Sequence, residues 1–158
     1  MALKVDPDAL GFLIAETARM MNVAFERKIA NAGLDITPAE ARTLCYVAAS
    51  EGARQNNIAE RMGVEPMTVC AYLDRLEKLQ LVMRAPDPKD RRAKNIHTTD
   101  AADAILRGIK EQMDQLFGSL LTQVEPEKLD AMKEVMMILR ENLRVSLAEK
   151  PIIQAEMA

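Results

Sequence analysis

The stretch Asp87–Lys94, D-P-K-D-R-R-A-K, constrains this chain more than any other because of its flanks. Before it, Thr68–Leu81 (T-V-C-A-Y-L-D-R-L-E-K-L-Q-L) has the apolar spacing of an amphipathic helix. After it, Asn95–Thr99 is a short β-prone run, and a further helix follows. A helix, a turn rich in Pro, Asp and cations, and a returning strand make a helix-plus-wing unit. Such a unit brings one helix to a groove of DNA with a basic hairpin beside it. DNA binding is therefore the first expectation.

The net charge of −3 does not favour a polyanionic partner, but its distribution does. Arg54–Thr98 holds nine Lys/Arg (Arg54, Arg61, Arg75, Lys78, Arg84, Lys89, Arg91, Arg92, Lys94) and six acids (Glu60, Glu65, Asp74, Glu77, Asp87, Asp90). That span carries +3 and leaves −6 for the rest. A basic centre between acidic ends steers a polyanion to one region.

With 49% apolar residues, 3% aromatics and 11 Met, the core should be aliphatic and adaptable. Pro7–Ala32 reads as a long helix ended by Gly33. Thr37-Pro38 caps and opens a second helix, with Leu44, Val47 and Ala48 on its buried face and Gly52 at its end. Asn56–Met62, the turn Gly63–Pro66 and Met67–Gln80 follow the helix-turn-helix pattern. Its small core should be Ile58, Ala59, Met62, Val69, Leu73 and Leu76. Val82–Pro86 and Asn95–Thr98 should pair as the wing. Thr99 should cap a fifth helix reaching Gln123, and Pro126 should open a sixth reaching Leu147.

The expected fold is thus mainly α, a single domain over residues 1–158. Its winged helix-turn-helix lobe lies at 35–99, with long helices at 7–32 and 100–147. Those helices show more apolar surface than a small lobe can cover, and a second copy of the chain is the expected cover.

Several classes are disfavoured. The longest apolar runs, Leu10–Ala15 and Val135–Leu139, are too short for a bilayer span, and Met1–Asp8 lacks a secretory apolar core. Cys45 and Cys70 fall on separate helices and suit a reducing cytoplasm. His97 is the only histidine, so no metal site and no cofactor is expected. Neither a nucleophile elbow nor a Gly-rich phosphate loop is present, which argues against an enzyme.

Four segments together resemble the MarR family of winged-helix transcription regulators, its SlyA-type members in particular. They are Leu34–Leu44 (L-D-I-T-P-A-E-A-R-T-L), Asn57–Val64 (N-I-A-E-R-M-G-V), Thr68–Leu79 (T-V-C-A-Y-L-D-R-L-E-K-L) and Asp87–Lys94. The likeness extends from about Leu10 to Leu147. It implies a cytoplasmic homodimer held by the first, fifth and sixth helices. Two recognition helices would enter successive major grooves of a pseudopalindromic operator, and wing arginines the minor groove. It also implies repression relieved by a small phenolic or amphipathic inducer. This chain departs from the family at Ala71, where many relatives carry Arg, and at Ala41, where many carry an aromatic.

On that reading the double-stranded DNA contacts come from Met67, Thr68, Cys70, Ala71 and Arg75 on the recognition helix. Arg84, Lys89, Asp90, Arg91, Arg92 and Lys94 add contacts from the wing. Arg92 suits a narrow minor groove because its guanidinium is planar and sheds water readily. Asp90 would hold the hairpin, and Arg75 has an ion pair with Asp74 or Glu77 as its alternative. The small pair Ala41 and Thr43 suggests a pocket where the first, second and fifth helices meet, near Phe12, Ala15, Arg19 and Ile105. A carboxylate there would face Arg19 or Arg42. Two other readings stand beside this one. The wing could serve an acidic protein partner, or Cys70 could make the chain a redox-sensing regulator, although an inert interface thiol suits it better.

Overall fold

The computed structural model describes residues 6–90 and 92–148. Among the described residues, six helices and a three-stranded sheet follow one another, which is the mainly α, winged architecture expected.

Helix α1 (Leu10–Ala30) is shorter than 7–32 at both ends. Ala9 offers no side-chain cap. At the other end Asn31 Nδ2 donates to the Arg27 carbonyl at 2.9 Å, and Gly33 turns the chain at φ +67°. Helix α2 (Pro38–Ala48) opens on a full capping box. The Glu40 N–H donates to Thr37 Oγ1 at 3.2 Å, and the Thr37 N–H donates to Glu40 Oε2 at 2.8 Å. Such a cap is worth about 1 kcal/mol.

Strand β1 (Ala53–Arg54) was not legible, being two residues long and lacking an alternating pattern. Helix α3 (Gln55–Met62) ends at Gly63, whose φ of +67° needs no Cβ, and Pro66 opens helix α4 (Pro66–Lys78). Strands β2 (Val82–Pro86) and β3 (Lys94–Thr98) pair antiparallel from Val82↔Thr98 to Pro86↔Lys94. Strand β1 flanks the other side of β3, with Arg54 opposite Asn95, so the sheet order is β1-β3-β2.

Helix α5 (Ala102–Leu120) starts three residues after Thr99, which does not cap it with its side chain as expected. The Thr99 hydroxyl instead donates to the Gln80 carbonyl. Gln80 is left-handed at φ +59°, and the Leu81 N–H closes the turn on the Leu76 carbonyl at 2.9 Å. Thr99 therefore fastens the exit of α4 to the far end of the wing.

The core joins Leu44 and Val47 of α2, Ile58, Ala59 and Met62 of α3, Val69, Leu73 and Leu76 of α4, and Ile96 of β3. All six residues assigned to the helix-turn-helix core are buried. Ile29 is the only buried residue of α1, and Leu10, Phe12, Leu13, Met20 and Val23 stay exposed. The chain divides into two compact units, one reaching Phe117 and one beginning at Gly118. The second contains helix α6 (Pro126–Ala148), which buries none of its residues.

Candidate nucleic-acid interface

Helix α4 separates its faces cleanly. Val69, Leu73 and Leu76 are buried, while Met67, Thr68, Ala71 and Arg75 are exposed and Cys70 is half-buried. Met67 is 79% exposed despite being apolar, so α4 presents an accessible surface along its N-terminal half.

Arg75 does not pair with Asp74 or Glu77. Its Nε lies 3.9 Å from Glu40 Oε1, across from the capping box of α2. Asp74 and Glu77 both belong to Arg84. Arg84 Nη2 donates to Asp74 Oδ1 at 2.7 Å, and Nη1 donates to Glu77 Oε2. Burial disfavours the Arg84 charge, but the hydrogen bonds and attraction of the two carboxylates outweigh it and raise its pKa. Arg84 was expected to face DNA. Its side chain is only 18% exposed and is committed to two acids, so it is not available as a free cation.

The wing is held by carboxylates. Asp87 Oδ1 accepts the N–H groups of Lys89 at 2.8 Å and Asp90 at 3.2 Å, an Asx turn. Asp87 Oδ2 accepts from Arg54 Nε at 3.1 Å and Nη2 at 2.9 Å. These bonds, the backbone one from Lys89 first and then Arg54, hold the Asp87 carboxyl below its ordinary value. Asp90 Oδ1 accepts the Arg92 N–H at 3.1 Å, and its other oxygen lies 3.8 Å from Arg54 Nη1. Asp90 thus shapes the turn, the role it was given beside DNA contact. Lys89, Arg92 and Lys94 are exposed, and no side-chain partner for Arg92 is found among the described residues. Arg91 lies outside the described residues.

Arg54, Asp87 and Glu40 were missing from the expected site. Asp87 had a local signal, since Asp followed by Pro and two further turn residues favours an Asx turn. Arg54 had none, because its partner lies 33 residues away.

The expected ligand pocket is not assembled as proposed. Ala41 and Thr43 are completely buried, and the Thr43 hydroxyl donates to the Ala39 carbonyl at 2.9 Å. Their small size serves close packing and leaves no opening. Phe12, Ala15 and Arg19 are exposed along α1, with Arg19 facing Glu16 at 3.8 Å, and Ile105 packs on the core. Of the expected residues, Arg19 lines a shallow recess of about 540 Å³ along α1 with Met20, Val23 and Leu116, and Arg42 reaches two others between α1 and α2. One, of about 140 Å³, is lined by Asn22, Phe25, Glu26, Pro38, Ala39, Arg42, Met62, Val64 and Tyr72. Another, of about 250 Å³, shares Asn22, Phe25 and Arg42 and adds Met21, Cys45, Tyr46 and Met113. Arg42 donates to the Met62 carbonyl at 3.1 Å and lies 6.0 Å from the Tyr46 ring centre. Burial pushes the Cys45 thiol up, which suits a packed and unreactive side chain. Among the described residues no group of three His, Cys, Asp or Glu is placed to hold a metal ion, and no helix is long and apolar enough to cross a membrane.

Helix α3, a Gly turn, an exposed α4 and a two-stranded basic wing define a winged helix-turn-helix protein. Residues 36–94 match the model of the MarR family. The HTH-type transcriptional repressor MdtR of Bacillus subtilis (strain 168) is 35% identical over 94 residues, 57% of this chain and 60% of MdtR. The uncharacterized HTH-type transcriptional regulator YfiV of the same organism is 30% identical over 106 residues, 67% of this chain and 66% of YfiV. The match therefore spans about two thirds or less of these relatives. The transcriptional repressor CouR, named in another structure as from Rhodococcus jostii RHA1, has been solved bound to a 23-mer DNA duplex. That structure shares 26% identity and a TM-score of 0.65, covering 89% of this chain and 99% of CouR. Residues 36–94 thus carry a MarR-family domain, and the relatives similar to this chain are HTH-type transcriptional regulators.

Proposed function

We propose that this chain is a DNA-binding transcription regulator that acts as a homodimer on a pseudopalindromic operator. The observation that carries this reading is the pairing of an exposed α4 face (Met67, Thr68, Ala71, Arg75) with an exposed Arg92, without a side-chain partner among the described residues, on a carboxylate-braced wing. Thr68 and Ala71 can meet base edges and thymine methyl groups, while Arg75, Lys89, Arg92 and Lys94 supply charge for the backbone. The DNA-bound CouR structure supports the class of partner. Exposed apolar side chains on α1 and on α6, among them Leu10, Phe12, Val135, Met136 and Ile138, support self-association.

A small-molecule effector fits the recess lined by Asn22, Phe25, Arg42 and Tyr72 better than the pocket expected around Ala41. A space of ~150 Å³ takes one benzene-sized ring, so a single-ring aromatic acid with its carboxylate toward Arg42 matches that volume. Such a ligand regulates only if it binds the DNA-free form more tightly than the DNA-bound form.

Selection of duplexes from a randomised pool, followed by footprinting of the enriched sequence, tests the reading. Two protected half-sites about one helical turn apart are expected. Failure to enrich any sequence would favour the alternative in which the basic wing serves an acidic protein.

A further inference from the structure

We propose that Arg84 is a charge-masking residue of the α4 surface: it holds Asp74 and Glu77 neutralised so that the helix can approach a polyanion, and it does not itself touch DNA. This rests on the DNA-binding reading above and concerns how that surface is made compatible with phosphate.

Positions 67, 71, 74 and 78 repeat at helical spacing, so Met67, Ala71, Asp74 and Lys78 share one stripe of α4. All four are exposed. Asp74 therefore sits within the surface that would face DNA, with its side chain 53% exposed. An ionised carboxylate has acceptors only and repels phosphate. A helix that reads DNA with Asp74 and Glu77 unopposed would carry two repulsive charges on or beside its contact surface.

Arg84 answers both at once. It enters from the middle of β2, and its planar fork gives one terminal nitrogen to each carboxylate. Direct DNA contact by Arg84 would break both charge-assisted bonds and release two carboxylates toward phosphate. The same clamp protects Arg75, which lies between the two acids in sequence. With both claimed, the partner of Arg75 among the described residues is Glu40, reached through Nε at 3.9 Å. The terminal nitrogens of Arg75 stay open to solvent and to a phosphate.

The test is a double-mutant cycle on the full chain, read by fluorescence anisotropy with a duplex that the unaltered protein itself selects from a randomised pool. Four proteins are compared: unaltered, Arg84→Ala, Asp74→Asn/Glu77→Gln, and the triple variant. Masking predicts that Arg84→Ala lowers affinity by about tenfold or more, because like charges then face each other. It also predicts that the triple variant binds within about threefold of Asp74→Asn/Glu77→Gln, since no acid remains to be masked. Circular dichroism accompanies each protein. The comparison of the last two proteins involves no unpaired carboxylate and holds even if Arg84→Ala alone unfolds. Equal losses on removing Arg84 from both backgrounds would overturn the proposal and make Arg84 a direct contact. A folded Arg84→Ala protein with unchanged affinity would overturn it as well. Failure of the unaltered protein to select any duplex would instead count against the DNA-binding reading beneath it.

Discussion

Arg54 braces the wing from outside it, with Nε and Nη2 both donating to Asp87 Oδ2 at 3.1 and 2.9 Å. Arg54 lies on β1, whose pairing with β3 sets its position. Asp87 opens the loop that carries Lys89 and Arg92. One ion pair thus ties the sheet to the turn from which the basic side chains project.

Arg54→Ala should loosen that loop and weaken DNA binding without unfolding the lobe, whose apolar core it does not join. Asp87 should then titrate closer to its ordinary value yet remain lowered, because the backbone N–H groups of Lys89 and Asp90 still bind its other oxygen. NMR titration of the Asp87 carboxyl in both proteins measures this. A carboxyl lowered on folding stabilises the fold above its unfolded pKa, and that contribution is lost as pH falls through the folded value. The wing should therefore be stable at neutral pH and lose order in the acid range, at a higher pH in Arg54→Ala.

Gln80 occupies the left-handed region at φ +59°, where glycine is favoured. Its backbone is engaged through the Glu77 carbonyl, its own carbonyl and Thr99. Gln80→Gly should stabilise the protein by ~1 kcal/mol, a rise of a few degrees in Tm. An unchanged or lower Tm would show that the turn does not strain Gln80.

Glu40 serves the capping box and Arg75 together. Glu40→Ala should cost about 1 kcal/mol of stability through the lost cap. Glu40→Gln should keep most of that stability, since its amide oxygen can still accept the Thr37 N–H. If the Arg75 contact matters for DNA, Glu40→Gln should weaken binding while its denaturation curve stays close to that of the unaltered protein.

Ala41 is fully buried, so Ala41→Phe should overpack the lobe and destabilise it by ~1–3 kcal/mol. A pocket at that position would instead accept the ring with little loss, and chemical denaturation separates the two.

The sequence was most legible where structure is local. Ile58, Ala59, Met62, Val69, Leu73 and Leu76 follow from helical periodicity alone, and strand β3 from the β-prone run after the basic turn. Thr37, Pro38 and Glu40 spell out a helix start within four residues. What stayed hidden depends on distant partners. The Arg54–Asp87 and Arg84–Asp74 pairs join residues on separate elements, and a charge in a sequence does not name its partner. Ala41 and Thr43 show the same limit in packing. A small side chain marks a cavity or a close approach equally well, and only the neighbours decide.

The central claim, that α4 and the wing bind DNA, is tested most directly by affinity for the selected duplex against salt. If the dimer neutralises about 6–10 phosphates, affinity should fall by ~10³–10⁵ between 50 and 200 mM salt. Arg92→Ala should reduce the slope of that line, whereas Thr68→Ala should leave the slope and alter preference at particular base pairs. Affinity that is indifferent to salt, or a slope unchanged by Arg92→Ala, would contradict the account.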